Sequence, residues 1–501
     1  MHSPRRKRTR STSKLMSLSA YVKHISEDRA LVAITLCALA YFFAFSSMSI
    51  MRYNAFLAAN DLGIFNHKLY NTLHGRFYLS AEGGEEHYQH MDYLILAFAP
   101  IYAAAPYPET LLAIQSAFLA SGAVFIYLLA RRKLGPKAGL AISASYLLYP
   151  ALHYVNLYDY HSIALAGPLI IAAFYCFQER KRKSWIVLFT LAMLAEETVP
   201  VFIVLSGIYL WTTTRRREAA FLAVYALAWS FVFLAVLLPS EMVAGQTLFE
   251  IYQSRYSHLG QTQTEMMWNV MSDPIAAFTY GGGASRARFI FDLLAPGGFV
   301  ALADPAILIA SPQFAAAFLS KYEWMRTIHW QSYSAIIIPF VFISLVYGIA
   351  RLSRLSRRGI STHLSIAVLA LTAASFFALG IGNPNTAQWI SENASPDTQL
   401  LATTALLMRT IPENSTVAAP GHIFPHMWGK KMIYRLQDNF NEMVYDENYT
   451  RLPDYVIIDY NPKHYQEKVP EAQLTGLLGR RGYTVALNRS TVFLYRLDPS
   501  A

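Results

Sequence analysis

Apolar and polar residues occur in long separate blocks along roughly the first three quarters of this chain. About ten of the apolar blocks approach or reach the length of roughly 20 residues that a helix needs to cross a bilayer. The first block covers residues 30–50, and the last covers about 363–381. This pattern predicts a mainly α, polytopic transmembrane helical bundle over residues 30–381.

A second pattern begins at Gly382, where the apolar runs shorten to the length of strands. Stretches typical of helices lie between these runs, and strands that alternate with helices favour an α/β arrangement. Residues 382–501 are therefore predicted to form a small C-terminal α/β domain. The apolar runs are residues 416–419, 455–458 and 491–497, and the helical stretches are residues 397–409 and 471–480.

Positive charge predicts how the bundle is oriented. The chain carries a formal charge of +10 although 54% of its 501 residues are hydrophobic. Most of the charge lies in short loops, where Lys and Arg mark the cytoplasmic side, so no nucleic acid partner is implied. Residues 1–29 are predicted to be a basic cytoplasmic tail, residues 51–108 the first external loop, and the C-terminal domain extracytoplasmic. Residues 93–105 are expected to be interfacial or re-entrant, because a crossing there would place Arg131 and Arg132 outside.

The external loop begins with an amphipathic pattern. Its apolar stripe predicts a helix that lies at the membrane surface, with Asp61 at its start. Asp61 has two possible roles, which can coexist: a helix N-cap, or a catalytic carboxylate above a membrane-embedded pocket. The apolar stripe is Leu62, Phe65, Leu69 and Leu73, and the opposite face carries Asn60, His67, Asn71 and His74.

The predicted topology gathers further polar residues on the outer side. Asp159 and His161 lie in a turn between two spans, and Glu196 and Glu197 join two short apolar stretches. Ionisable groups at membrane depth are costly, so they suggest a function. The alternatives are a turn of mutual hydrogen bonds for the first pair and an exposed polar turn for the second.

Two other groups of residues remain open to alternatives. His87, His90 and Asp92 could bind a divalent metal together with Asp159 or His161, but they match no defined metal-site spacing and also suit a solvated loop. No cofactor is predicted from them. A second, basic group could hold a phosphate or anchor the protein at lipid headgroups. This group is Arg286, Arg288, Lys321 and His329.

A lipid-linked anionic substrate would suit such an outward site. A basic side chain would hold its phosphate, a groove between spans its isoprenoid tail, and a carboxylate would take a proton from an acceptor hydroxyl. No Walker motif or glycine-rich nucleotide fingerprint occurs in the sequence, and Gly281-Gly282-Gly283 is not one. A lipid-borne donor is therefore favoured over a soluble nucleotide donor.

Several motifs resemble those of the domain of unknown function 2079 family of multi-pass membrane proteins, which in turn is similar to the GT-C glycosyltransferase superfamily. That superfamily uses polyprenyl-phosphate sugars and carries an acidic residue in its first external loop. The resemblance implies a catalytic role for Asp61, and Asp159 is a weaker match to a second acidic site. Two departures are Leu62, where an acidic dipeptide is common, and Ala195, where a lysine is expected. The motifs are residues 60–65, 128–132, 159–161 and 196–197, with His90, Pro100, His329 and Pro339.

These observations lead to the hypothesis of an integral-membrane glycosyltransferase in the cell membrane, which moves a sugar from a polyprenyl-phosphate carrier to an acceptor on the outer face. Its expected partners are a lipid-linked sugar donor, membrane lipids and an acceptor that the sequence does not identify. A transporter or lipid flippase with buried carboxylates is a second hypothesis, and a non-catalytic assembly or receptor protein is a third. The expected catalytic residues are Asp61, Asp159, His161 and Glu197, and the expected substrate-binding residues are His67, Lys68, His90, Glu196, Arg286, Arg288 and His329.

Overall fold

A computed structural model describes residues 28–58, 60–80, 92–233, 253–330, 332–356, 359–436, 452–461 and 471–498 of this protein. Its described part is mainly helical, with a small sheet near the C-terminus, which confirms the predicted fold class. The helices are α1 Arg29–Asn54, α2 Asn60–Leu73, α3 Ala99–Ala104, α4 Pro108–Leu134, α5 Pro136–Leu147, α6 Pro150–Tyr158, α7 Ser162–Gln178, α8 Arg182–Met193, α9 Val199–Thr214, α10 Arg217–Val232, α11 Gln263–Ser272, α12 Pro274–Thr279, α13 Ala284–Leu294, α14 Ser311–Leu319, α15 Ile338–Leu355, α16 Ser361–Leu379, α17 Pro384–Asn393, α18 Thr398–Thr410 and α19 Glu471–Arg480.

Four of these helices are long and apolar enough to cross a membrane: α1, α4, α15 and α16. The sequence of α4 shows why it forms where it does. Pro108 occupies the first turn, where its missing N–H costs nothing, and Gly135 ends the helix with a φ of 93°. Arg131, Arg132 and Lys133 lie in the last turn, where positive charge complements the helix dipole. Helices α4 and α15 are mostly buried in the bundle, whereas most residues of α1 and α16 are exposed or half-buried.

The apolar sequence of residues 138–155 does not form one continuous helix. Helix α5 ends at Leu147, and α6 begins at Pro150. Pro150 cannot donate a backbone hydrogen bond, and it disfavours a helical conformation at Tyr149, which is extended with φ −70° and ψ 119°. The break matters for the site, because the short helix α6 leads directly into Asp159.

The segment expected to be interfacial or re-entrant forms two short pieces. A 3₁₀ helix covers Tyr93–Phe98, and α3 follows it directly. Leu94, Ile95, Phe98 and Tyr102 are buried. Together the two pieces are shorter than the roughly 20 residues of a transmembrane helix.

The C-terminal region contains a five-stranded sheet in the order β2-β1-β3-β5-β4. β1 pairs in parallel with β2 and β3, and β5 pairs antiparallel with β3 and β4. The strands are β1 Thr416–Ala419, β2 Met432–Arg435, β3 Tyr455–Asp459, β4 Tyr483–Arg489 and β5 Val492–Leu497.

The C-terminal region packs directly on α2. A Cβ at Gly63 would lie 2.6 Å from the ring of Phe424, so only glycine permits this approach. The ring of His426 stacks on those of Tyr53 and Phe56 at the end of α1, each with 4.1 Å between ring centroids. The C-terminal region therefore helps to fix the helix that carries Asp61.

Candidate functional site

A carboxylate and an imidazole from distant parts of the chain meet at one end of the bundle. Asp61 lies in the first turn of α2, and its Oδ2 is 2.9 Å from Nε2 of His161. The backbone N–H of His161 donates to Oε1 of Gln115 at 2.8 Å, and its ring stacks on Tyr158. These contacts fix the imidazole beside Asp61.

Asp159 holds the start of α2 in place through a hydrogen bond to its backbone. Its Oδ2 accepts a hydrogen bond of 2.9 Å from the backbone N–H of Leu62, and its Oδ1 accepts one of 2.8 Å from the N–H of Tyr160. The first N–H groups of a helix lack partners within the helix, so a side chain such as Asp159 satisfies one of them. Asp159 is buried, whereas Asp61 is 38% exposed. The capping bond to Leu62 therefore comes from Asp159, while Asp61 faces the adjoining cavity.

Burial raises the pKa of the Asp159 carboxyl from 3.8 to about 8, and the nearby charge of Asp61 contributes to the same shift. Two carboxylates in such proximity do not ionise together at low cost.

This shift predicts how stability depends on pH. The folded state retains a proton on Asp159 that the unfolded chain releases, so Asp159 contributes less stability as the pH rises from about 4 to about 8. Thermal unfolding at pH 5 and pH 8 should show the wild type losing stability over this interval. An Asp159→Asn variant should be less stable overall, because its amide nitrogen cannot accept a backbone bond, but it should show a smaller pH dependence. Equal pH dependence in the two proteins would contradict the assignment.

A cavity of about 380 Å³ opens beside Asp61 and His161. Glu196 and Thr198 line another part of it, with the Thr198 hydroxyl donating to Oε1 of Glu196 at 2.8 Å. Arg255 also contributes to the wall, and its guanidinium carbon lies 5.9 Å and 6.0 Å from the ring centroids of Trp324 and Tyr333. The cavity thus combines carboxylates and an imidazole with a guanidinium.

An apolar groove of about 370 Å³ adjoins the cavity. Tyr256 and Ala316 line both spaces, so the two are neighbours through these residues. The remaining lining is aliphatic and sulfur-containing, and flexible thioether side chains adapt to irregular apolar ligands. It consists of Leu259, Met266, Met267, Val270, Met271 and Leu319.

The structure brings some of the predicted site residues together. Asp61, His161 and Glu196 line the same cavity, and Asp159 is bonded to the helix that carries Asp61. Glu197 is half-buried next to Glu196 in the chain, but it is not among the residues that line the cavity.

Two residues predicted to bind substrate, His67 and Lys68, are buried and bonded to other parts of the protein. Nζ of Lys68 lies 2.6 Å from Oδ1 of Asp92, with both side chains at most 1% exposed. The same carboxylate accepts hydrogen bonds from the hydroxyls of Tyr78 at 2.6 Å and Ser162 at 3.2 Å. His67 is fully buried, and its Nε2 lies 2.7 Å from the carbonyl oxygen of Lys430.

The predicted phosphate-binding residues also lie apart from this cavity. The guanidinium of Arg286 donates to three backbone carbonyls, those of Gly282, Tyr280 and Phe318. Arg288 pairs with Asp292, with 2.7 Å between Nε and Oδ1. His329 packs against Tyr154 with 4.7 Å between ring centroids.

The residues proposed for a metal are only partly described. His87 and His90 lie outside the described residues. Among the residues that are described, no cluster of three or more His, Cys, Asp or Glu side chains could hold a metal ion.

Arg255 is a charged residue of the cavity wall that the sequence did not single out. It lies in a stretch between residues 239 and 332 whose path the hydropathy pattern left undefined. A signal was nevertheless present, since Arg255 and Tyr256 precede the methionine-rich helix α11. A basic and aromatic pair before such a helix is the kind of junction that holds an anionic lipid.

Comparison with solved structures identifies the class of fold. The structure is similar to that of ArnT from Cupriavidus metallidurans bound to undecaprenyl phosphate, with a TM-score of 0.56 and 11% identity over 94% of this chain and 98% of that chain. An Archaeoglobus fulgidus oligosaccharyltransferase tethered with an acceptor peptide matches at a TM-score of 0.47 and 12% identity, over 84% of this chain and 69% of that chain. The first of these similarities shows that the fold is that of the GT-C glycosyltransferases.

Within that fold class, the chain belongs to the DUF2079 family of predicted membrane proteins, whose family model matches residues 52–494. No curated protein matches the sequence significantly. The family resemblance expected from the sequence motifs is confirmed, and so is the membrane location.

Proposed function

We propose that this protein is an integral-membrane glycosyltransferase that transfers a sugar from a polyprenyl-phosphate carrier to an acceptor hydroxyl on the outer face of the membrane. The observation that supports it best is the adjoining pair of spaces: a cavity with acidic groups and an arginine, next to an apolar groove. A polyprenyl-phosphate sugar has a matching order of groups: a polar sugar, an anionic phosphate and a long apolar chain.

Arg255 is the proposed phosphate ligand. It is half-buried on the cavity wall, and Tyr256, the next residue, belongs to both the cavity and the groove. A guanidinium offers several hydrogen-bond donors in a planar arrangement that fits phosphate oxygens. A carrier with its phosphate on Arg255 would extend its isoprenoid tail along α11, and the undecaprenyl phosphate bound to the similar ArnT supports this class of donor.

Asp61 is the proposed general base. It would accept the proton of the acceptor hydroxyl as the acceptor oxygen attacks the anomeric carbon of the donor sugar. The bond between that carbon and the phosphate oxygen then breaks, and polyprenyl phosphate leaves with its negative charge held by Arg255. His161 orients the Asp61 carboxylate at 2.9 Å, and Glu196 is placed to bind hydroxyl groups of the sugar or acceptor.

This chemistry places the C-terminal region on the extracytoplasmic side. The N-terminal tail of residues 1–29 is then cytoplasmic, since α1 separates it from α2. Residues 382–501 form the proposed extracytoplasmic domain, packed on α2 at the edge of the site.

Replacing Arg255 tests where the donor phosphate binds. Arg255→Gln should raise the KM for a polyprenyl-phosphate sugar by about 10- to 100-fold, because charge-assisted hydrogen bonds contribute about 1.5–3 kcal/mol. The measurement is release of polyprenyl phosphate by purified protein supplied with lipid-linked sugars extracted from membranes of the expressing cells. Arg288→Gln is the comparison variant, since Arg288 is one of the phosphate-binding residues predicted from the sequence and is not among the residues that line the cavity. A KM raised only in the Arg288 variant would move the phosphate site to the place that the sequence predicted.

A further inference from the structure

A third space, a hollow of about 260 Å³, shares no lining residue with the cavity beside Asp61 and His161 or with the apolar groove. Its described lining consists of Trp330, Asn385, Thr386 and Trp389, none of which is charged. The two indole rings are tilted by 54° with their centroids 5.1 Å apart. Paired indoles beside an amide and a hydroxyl form a surface that is apolar at its centre and polar at its edge.

A buried arginine supports the indole pair from within. The guanidinium carbon of Arg52 lies 4.4 Å from the ring centroid of Trp330 and 5.7 Å from that of Trp389. Arg52 is only 6% exposed, and its Nε donates to the carbonyl of Leu157 at 2.8 Å. Its Nη1 has no hydrogen-bond partner. Burying a guanidinium whose N–H groups are not all hydrogen-bonded is costly. The attraction between the cation and the indole faces offsets part of that cost.

The backbone of Trp330 is also unusual. Its φ is 54°, in the left-handed region that bulky residues rarely adopt. Such strain persists only where surrounding contacts impose it, and it concentrates at ligand sites. A tryptophan that merely anchors the protein at the membrane interface needs neither a strained backbone nor a buried cation beneath it.

From this arrangement we propose that Trp330 and Trp389 form a saccharide-binding platform for the acceptor. The C–H groups on one face of a pyranose ring carry slight positive charge and pack well on the electron-rich face of an indole. The side chains of Asn385 and Thr386 would then exchange hydrogen bonds with the hydroxyl groups at the edge of the sugar. A phosphorylated or acidic ligand fits less well, because Arg52, the cation that the structure describes at the platform, packs against the rings and is buried.

The platform lies close in the chain to residues of the cavity beside Asp61 and His161. Trp330 lies within three residues of Ser332 and Tyr333, which line that cavity. Arg52 bonds to Leu157, two residues before Asp159. The role as an acceptor subsite rests on the proposed transferase function, whereas saccharide binding itself can be measured without turnover.

The test uses the full-length protein in detergent micelles on an array of immobilised glycans. The wild type should bind at least one class of glycan, and Trp389→Ala should weaken that binding by about tenfold or more. Trp389→Phe should retain part of it, since a phenyl ring is a smaller platform. Trp211→Ala is the matched control, because Trp211 is equally exposed and lies beside Arg215 away from this hollow.

Two results would overturn the proposal: a wild type that binds no glycan on the array, or a Trp389→Ala variant that binds as strongly as the wild type. Asp61→Asn separates this proposal from the transferase function. It should bind glycans normally while losing transfer. If it retains transfer, the proposed function fails, and the platform is then judged by the Trp389 variants alone.

Discussion

Asp61→Asn should lower the rate of sugar transfer by about 10²- to 10⁴-fold, the usual contribution of a general base. An asparagine fits the same space but cannot accept the proton of an acceptor hydroxyl. The fold should persist, because the capping bond to Leu62 comes from Asp159 and Asp61 is 38% exposed. The loss should appear in kcat with little change in the KM for the lipid donor, since Arg255 and the apolar groove remain.

Asp454→Asn is a suitable control for the Asp61 variant. It makes the same change at an exposed carboxylate that bonds to Thr416 in the sheet. Transfer should stay within a factor of about two of wild type, as for surface substitutions in general. If Asp61→Asn transfers sugar at nearly the rate of the control, Asp61 is not the base, and a transporter or flippase becomes the better hypothesis for this cavity.

Lys68→Met should destabilise the protein by about 3–5 kcal/mol, because it leaves the carboxylate of Asp92 buried without its cation. The two groups are 2.6 Å apart and almost completely inaccessible. Adding Asp92→Asn should recover part of the loss, since the buried charge is then removed as well. Thermal unfolding in detergent of the two single variants and the double variant gives the coupling energy.

Lys137→Met is the control for that experiment, since Lys137 is exposed at the start of α5. Its stability should change by no more than about 0.5 kcal/mol. One result would contradict the structural role of Lys68. It is a Lys68→Met variant that is as stable as Lys137→Met but no longer binds the lipid donor. That result would restore the substrate-binding role predicted from the sequence.

The sequence was sufficient to predict features that follow from local patterns. The apolar stripe of α2 and the polar turn at Asp159 both depend on side chains a few residues apart. The charge in the loops constrained which turns were predicted to lie on the same side of the membrane. That constraint led to the expectation that Asp61 and His161 lie near each other. The strand pattern after Gly382 likewise gave three of the five strands.

Other features depend on contacts that no local pattern encodes. A buried lysine and a ligand-binding lysine look alike in sequence, and only the fold shows that Lys68 meets Asp92. The guanidinium of Arg286 donates hydrogen bonds to backbone carbonyls, whereas Arg255 lines the cavity. The indole platform joins Trp330 and Trp389, which are distant in the chain and resemble ordinary interface residues.

Mass spectrometry of lipids that co-purify with the protein shows whether it binds a polyprenyl-phosphate sugar. Wild type, Asp61→Asn and Arg255→Gln should be purified in parallel and their bound lipids extracted. We expect a polyprenyl-phosphate sugar that accumulates on the Asp61 variant, where transfer is blocked, and is depleted on the Arg255 variant, where the phosphate is not held. Equal amounts of ordinary phospholipid on all three proteins, without any polyprenyl-phosphate sugar, would contradict it.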